Sequence, residues 1–272
     1  MLLSIITINR NNAQGLAKTL QSVASQICKD FEHIIIDGAS TDGSVEVIKE
    51  YVGKVQHKVR WVSEPDKGIY NAMNKGIRMA EGEYIQILNS GDCLASDDVV
   101  GCMLMALDEN QFPGILYGNM IKIASDGKVV GKSGYTEYSL RQFYSSTLNH
   151  DCAYIKRSLF DEYGFYDENL KIVSDWKWYL QAIGLGRVKP VYVNIDLTLF
   201  DTGGISEQNL KLRNAERRKV LEEVMPPAVL WDYDHHAFDM VQMDRLRKRH
   251  LYKLVYFMER TLFKLEKWHV LK

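Results

Sequence analysis

Residues 64–92 constrain this chain more than any other stretch. They begin Glu-Pro-Asp-Lys-Gly-Ile-Tyr-Asn-Ala-Met-Asn-Lys-Gly-Ile at Glu64 and end Gly82-Glu83-Tyr84-Ile85-Gln86-Ile87-Leu88-Asn89-Ser90-Gly91-Asp92. The order is a polar loop, a helix, a buried strand, and a polar turn closing on a carboxylate. Open α/β sheets place their ligands beyond the carboxyl ends of the strands. Asp66 and Asp92 are therefore expected to converge on one crevice. A carboxylate there, beside Asn, Ser and Gly, suits a hard divalent cation carrying a diphosphate.

The segments around this run supply a sheet. Short apolar, β-branched runs at 3–8, 33–37, 59–63 and 83–88 alternate with helical patterns at 12–27, 43–52 and 68–80. Leu16, Leu20, Val23 and Ile27 recur at helical spacing, with Asn11 or Asn12 as cap, and Thr41 or Asp42 caps the second helix. Alternating βαβα predicts an α/β, mostly parallel sheet flanked by helices. Beyond Asp92 the spacing predicts a helix from Asp97 and Asp98 through Leu107. A hairpin of Ile115–Ala124 and Lys128–Lys132 follows around Asp126-Gly127. Residues 207–272 lose the strand pattern and read as helices broken at Pro226-Pro227.

Bulk properties exclude some classes. A chain of 272 residues, 46% hydrophobic, can bury a full core, and its formal net charge of −1 gives no pull toward nucleic acid. Cys28, Cys93, Cys102 and Cys152 form no C-x-x-C pair or disulfide-like framework, which points to a reducing cytoplasm. Met1 to Ile6 lack the basic flank and cleavage site of a signal peptide and read as a first buried strand. No apolar run approaches the ~20 residues that span a bilayer.

Three motifs in order carry a family resemblance: Leu3-Ser4-Ile5-Ile6-Thr7-Ile8-Asn9-Arg10, Ile34 to Ser44 (Ile-Ile-Ile-Asp-Gly-Ala-Ser-Thr-Asp-Gly-Ser), and Ser63 to Asp92. Over residues 2–206 the chain resembles the inverting family 2 glycosyltransferases of bacterial polysaccharide and lipid-linked oligosaccharide assembly. These have the GT-A fold, a Rossmann-like mixed sheet flanked by helices. The resemblance implies a GT-A domain at 1–206, with a nucleotide-binding half at 1–92 and an acceptor-binding half at 93–206. A helical extension at 207–272 stays outside it. It also implies a nucleotide-diphosphate sugar as donor, uridine by family habit, and Mg²⁺ or Mn²⁺ as cofactor. The acceptor would be a hydroxyl of a glycan or lipid-linked precursor.

The resemblance assigns roles residue by residue. Thr7, Asn9 and Asp37 stand at strand ends where the family holds the nucleotide, though Asp37 also suits a cap for the turn that follows it. Asp66 and Lys67 fall at the donor-contacting loop, where Asp66 could equally cap the next helix. Asn71, Asn74 and Lys75 share a face of that helix, and Asn74 is counted with the donor contacts. Asn71 stands where the family often has Asp. The Asn89-Ser90-Gly91-Asp92 turn matches the family's metal turn but keeps only the last carboxylate. Asp92 is expected as the ligand and Asn89 as a weaker partner, which Mg²⁺ tolerates because phosphates and waters complete its shell.

Asp175, in Ile172-Val173-Ser174-Asp175-Trp176, matches the general base that takes the acceptor proton. Trp176 and Trp178 either face a sugar ring or belong to the core, with core favoured for Trp178. Asp167 and Glu168 read as turn residues. His150 either contacts the diphosphate or metal or is a buried, hydrogen-bonded histidine. Gly203 and Gly204 resemble a loop that closes over the donor phosphates.

The C-terminal segment is amphipathic. Arg249, Lys253, Arg260, Lys264 and Lys267 form one stripe of a helical wheel, opposite Leu251, Leu254, Val255, Met258, Leu262 and Leu265. Residues 245–272 thus suit either the inner face of the plasma membrane, as on a peripheral enzyme, or packing on the chain's own domain or a dimer mate. Two rival functions remain. A sugar nucleotidyltransferase needs a Gly-rich basic loop after the first strand, where this chain has Asn9-Arg10-Asn11-Asn12-Ala13. A non-catalytic nucleotide-sugar-binding scaffold is favoured by the missing carboxylates at Asn89 and Gly91 and opposed by Asp92 and Asp175.

Overall fold

The computed structural model describes residues 1–124, 127–134, 138–201, 209–249 and 251–270. It divides into two compact units, Met1–Val220 and Leu221–Lys272. In the first unit β1 (Leu3–Asn9), α1 (Ala13–Ala24), β2 (Phe31–Asp37), α2 (Ser44–Val52), β3 (Lys58–Ser63), α3 (Ile69–Met79) and β4 (Tyr84–Ile87) follow in βαβ rhythm. Then come β5 (Cys93–Leu94), α4 (Val99–Glu109), β6 (Ile115–Ile123), β7 (Val129–Ser133), α5 (Leu140–Ser145), β8 (Ala153–Lys156) and α6 (Ser158–Tyr163). Helix α7 (Ser174–Tyr179) runs into a π-helical stretch at Leu180–Leu185, followed by β9 (Pro190–Asp201) and α8 (Leu210–Val224). The sheet order is β3-β2-β1-β4-β8-β6-β9-β5, with β7 paired to β6.

Pairing is parallel from β3 through β4, as βαβ crossovers require, and mixed beyond it. β1 and β2 are buried at every position, which is why both are rich in isoleucine and why their polar residues each need an internal partner. Leu16 and Leu20 of α1 pack with Ile35, Ile48 and Tyr51 in one cluster. Val99, Val100, Met103 and Leu107 of α4 pack with Leu3, Ile5, Tyr84 and Leu116 in another. The buried Glu32 carboxylate is satisfied rather than stranded. It accepts from Ser4 Oγ and the Glu81 amide at 2.7 Å each, and from Arg60 Nη2 at 2.8 Å.

Several expected boundaries shift. Asn12 caps α1, its Oδ1 accepting from the Gly15 amide at 3.1 Å. That helix ends at Ala24, so Ile27 lies outside it and is 75% exposed. Asp42 accepts from the amides of Ser44 and Ala13, tying the starts of α2 and α1 together. Asp66 caps nothing, because Gly68 occupies the N-cap of α3 without a side-chain bond. Helix α4 starts at Val99, after Ser96 Oγ donates to Asp98 at 2.6 Å and holds the chain in a turn. The β6–β7 hairpin forms as expected, while Asp126 of its turn lies outside the described residues. The break at Pro226-Pro227 separates α8 from α9 (Pro227–Lys248), and α10 (Tyr252–Val270) follows in the second unit.

Helix α3 approaches β1 so closely that a Cβ on Gly76 would lie 2.3 Å from Ile6 Cγ2. Alanine would gain about 0.5–1 kcal/mol in helix propensity. Overpacking against a stiff β-branched neighbour costs about 1–3 kcal/mol, so packing wins. Gly76→Ala is expected to lower the urea midpoint with an unchanged m-value.

Candidate active site

A crevice of about 650 Å³ opens at the carboxyl ends of the parallel strands, within the range of small-molecule sites. Asn9 and Arg10 reach it from β1, Asp66 and Gly68 from the loop after β3, and Asn89 to Asp92 from the turn after β4. His150, Asp175 and Asp201 enter from the later part of the chain. The two carboxylates expected to converge, Asp66 and Asp92, both line it.

Each is held by its neighbours. Lys75 bridges Asp66 at 2.6 Å and Glu64 at 2.7 Å, fastening the loop to α3. The Asn89–Asp92 turn is pinned by Thr19 of α1, whose hydroxyl donates to the Asp92 carbonyl at 2.7 Å and accepts from the Gly91 amide at 2.9 Å. Gly91 has φ +113°, so the turn demands a glycine where a family carboxylate might be sought. Asp92 is 5% exposed, and its Oδ1 accepts from the Asp201 amide at 3.1 Å. Burial and the Asp151 charge push its pKa up to about 8. Asp151, whose carboxylate accepts from Thr198 at 3.0 Å, is raised by burial as well.

Asp175 anchors the other wall. Tyr70, in the first turn of α3, donates to its Oδ1 at 2.9 Å, and His150 Nδ1 meets its Oδ2 at 3.1 Å. His150 Nε2 faces the Asn89 side-chain amide at 3.1 Å, and the protonated ring donates there when the amide presents its oxygen, which otherwise is buried without a partner. A hydrogen-bonded chain Tyr70–Asp175–His150–Asn89 thereby joins the expected base to the expected metal turn. Burial opposes charge on both members of the central pair. Their mutual hydrogen bond and attraction overcome it, pushing His150 up to about 9 and holding Asp175 below the usual carboxylate range.

The remaining candidates scatter. Asn9 lines the crevice, its Nδ2 donating to Asp37 at 2.8 Å while its Oδ1 is buried without a partner. Asp37 is fully buried and closes its own turn, accepting from the Ser40 amide and hydroxyl, Ser63 and Asn9. Despite burial, these bonds hold its carboxyl low. Thr7 turns into the sheet core, at 2.9 Å from His33 in a buried chain with Tyr51 and His57. Lys67 is exposed and off the crevice. Asn74 is buried and fastens α3 to the 166–168 segment through Tyr166 and Glu168. Trp176 and Trp178 are each 1% exposed, their indoles donating to Phe143 and Gly164 carbonyls, so both are core. Gly203 and Gly204 lie outside the described residues.

Sequence reading missed Tyr70, Asp151 and Asp201, and the crevice cations Arg10 and Lys18. Tyr70 alone carried a signal, standing four residues after Asp66 at the start of α3. Among the described residues no cluster of three or more His, Cys, Asp or Glu forms a metal cage. Asp92 nonetheless fits a divalent cation, because burial and the Asp151 charge disfavour its ionised form more than His150 favours it, and a bound cation would relieve that.

Comparison with known proteins identifies relatives. A model described as Glycosyl transferase family 2 matches residues 4–164. An uncharacterized glycosyltransferase of Mycobacterium tuberculosis is 34% identical over 206 residues, covering 74% of this chain and 76% of the relative. A PGL/p-HBAD biosynthesis glycosyltransferase of Mycobacterium bovis is 24% identical over 204 residues, covering 75% and 78%. Among solved structures, S. aureus TarS 1–349 in complex with UDP-GlcNAc superposes with TM-score 0.61 at 20% identity, covering 76% of this chain and 61% of that one. The mannosyltransferase PcManGT from Pyrobaculum calidifontis, in complex with GDP-Man and Mn²⁺, gives TM-score 0.60 at 17% identity, covering 79% and 61%. At these identities the structural likeness concerns the fold, which is the GT-A arrangement expected from the motifs.

The raised Asp92 carboxyl has a measurable sign. Unfolded, it titrates near the ordinary ~3.9; folded, near 8. The folded state holds the extra proton between these values, so this contribution is fully present below about pH 4 and is lost as pH rises through 8. Urea unfolding at pH 5 and pH 8.5 should show wild type losing stability relative to Asp92→Asn. A gap independent of pH would mean that the carboxyl ionises normally.

Proposed function

Because the chain belongs to glycosyl transferase family 2, we propose that this glycosyltransferase moves a sugar, with inversion, from a nucleotide-diphosphate donor to a hydroxyl of a glycan or lipid-linked acceptor. The observation that carries this reading is the Asp175 carboxylate on the crevice wall, held at one oxygen by Tyr70 and at the other by His150. Each oxygen keeps a lone pair for the acceptor. Asp175 takes the hydroxyl proton as that oxygen bonds to the anomeric carbon. The bond from that carbon to the donor diphosphate breaks on the opposite side. The products are the glycoside, the nucleoside diphosphate and protonated Asp175.

The donor base is expected near Asn9, whose unpartnered Oδ1 offers an acceptor to an imide N–H. Uridine is the favoured base. Mg²⁺ or Mn²⁺, held by Asp92 with Asn89 nearby, supplies Lewis-acid neutralisation of the departing diphosphate when bound. His150 serves this site as a holder of Asp175, since both its nitrogens are already engaged. With one carboxylate in hand, cation affinity should depend on nucleotide.

The second unit supports a peripheral place on the inner face of the membrane. On α10, Leu254, Met258 and Leu262 are exposed along one side, and Lys253, Arg260 and Lys264 along the other. Tyr256, Phe257 and Phe263 lie between, with Phe257 68% exposed. Among the described residues no helix is long and apolar enough to cross a membrane. Binding to vesicles containing anionic lipid, weakened by Lys253→Glu with Arg260→Glu and by salt, is the expected outcome. Equal sedimentation of both proteins with neutral and anionic vesicles would remove the membrane from the proposal.

Activity supplies the decisive test. Asp175→Asn should lower kcat about 10²–10⁴-fold with donor affinity unchanged. Tyr70→Phe, which keeps the ring packed and removes one hydrogen bond to a charged group, should lower kcat about 10–100-fold at constant donor KM. UDP, screened against GDP by thermal shift, should stabilise the protein in Mg²⁺ and not in chelator, and Asp92→Ala should abolish the difference. Nucleotide binding with no turnover in wild type, for any donor, would favour the scaffold reading.

A further inference from the structure

We propose that Arg213 and Arg217, one turn apart on α8, form a subsite for a phosphoryl group carried by the acceptor. Helix α8 packs against the segment that bears Asp175. Glu216 accepts from the Lys171 and Ile172 amides at 2.8 and 2.9 Å, which leaves its carboxylate committed to backbone. The Arg217 guanidinium lies 4.9 Å from the Trp176 ring centroid, next in sequence to the base, and its Nη1 donates to the Ser145 carbonyl at 3.3 Å. Both Nε–H groups, of Arg213 and Arg217, are buried without an acceptor. Among the described residues neither guanidinium has an ion-pair partner.

Two neighbouring guanidiniums, partly withdrawn from water and unpaired, are an unfavourable arrangement unless an anion joins them. Burial, then the Arg213 charge, lowers the Arg217 pKa, while Asp175 acts in the opposite sense. Two planar forks present more donors than one carboxylate can accept, and the three oxygens of a phosphoryl group match them. Lys171, whose amide Glu216 of the same helix holds, lines the crevice. The donor diphosphate is expected at Asp92 on the β4 turn, so the arginine pair falls to the acceptor. This assignment to the acceptor rests on Asp175 being the base.

The test uses the full chain with inorganic phosphate as probe, at constant ionic strength and with saturating nucleoside diphosphate to fill the donor site. Phosphate should raise the melting temperature of wild type. Its apparent affinity should fall at least tenfold in Arg213→Gln and in Arg217→Gln, with nucleotide affinity unchanged. Arg217→Lys, which keeps the charge and drops the fork, should fall between and guards against loss of folding in the glutamine variants. Without phosphate, Arg213→Gln should melt no lower than wild type, because a like-charge contact is removed. An equal phosphate shift in wild type and variants would overturn the subsite, and a parallel loss of nucleotide affinity would overturn its assignment to the acceptor. Asp175→Asn should keep the phosphate shift and lose transfer. Full transfer by Asp175→Asn would sink the base reading, while the phosphate shift still decides the anion site.

Discussion

Tyr70 and Asp175 stand 105 positions apart, yet a 2.9 Å hydrogen bond joins them. Much of the candidate site follows from that contact. It ties the first turn of α3, just past the Asp66 loop, to the helix that carries the base. His150 holds the other carboxylate oxygen and reaches Asn89, so four segments of the crevice share one polar chain. A carboxylate with limited exposure persists as an anion only when donors compensate its lost hydration. Here the two donors also set its direction. Asn74, Tyr166 and Glu168 repeat the fastening one turn further along α3, which makes that helix a common strut for both walls.

Charge in the crevice is unbalanced in a way that suits its proposed cargo. Asp92 and Asp151 repel each other at the β4 turn, and burial raises both. Arg10 and Lys18 line the opening, and Arg213 with Arg217 stand unpaired on α8. Separated acids and bases of this kind are what a cation and two phosphate-bearing substrates would neutralise. The free protein carries the cost of that preorganisation, as sites commonly do.

The repeating strands of residues 3–88 were legible because a parallel sheet covered on both faces favours short apolar, β-branched runs, densest at Ile5–Ile8 and Ile34–Ile36. An asparagine cap at Asn11 or Asn12 was legible from local chemistry, and the fold selects Asn12. Asp175, Asp92 and Asp66 were legible through motif order, and all three line the crevice. Trp176 was not, since an aromatic beside a base looks the same whether it faces sugar or core. Its burial follows from packing under α5, through the Phe143 carbonyl. Asn74 shared a helix face with Lys75, but 3.6-residue periodicity reports a face and not what lies opposite it. Thr7 pairs with Ile35 and reaches diagonally to His33, which lies on the same face of β2 opposite Ile5.

Local pattern thus determined the element order, the parallel half-sheet and the carboxylates Asp66 and Asp92 just beyond strand ends, since each depends on neighbours in the chain and on burial. Tertiary structure alone decided which polar groups meet. Tyr70, His150 and Glu216 acquire their roles from partners 105, 25 and 44 or 45 positions distant. Glycine at position 91 looked like a lost ligand until its φ of +113° gave it a backbone reason. The physical cause is the same throughout. Hydrophobic periodicity is written in adjacent residues, whereas a hydrogen bond depends on distance and angle between groups that only the packed fold brings together.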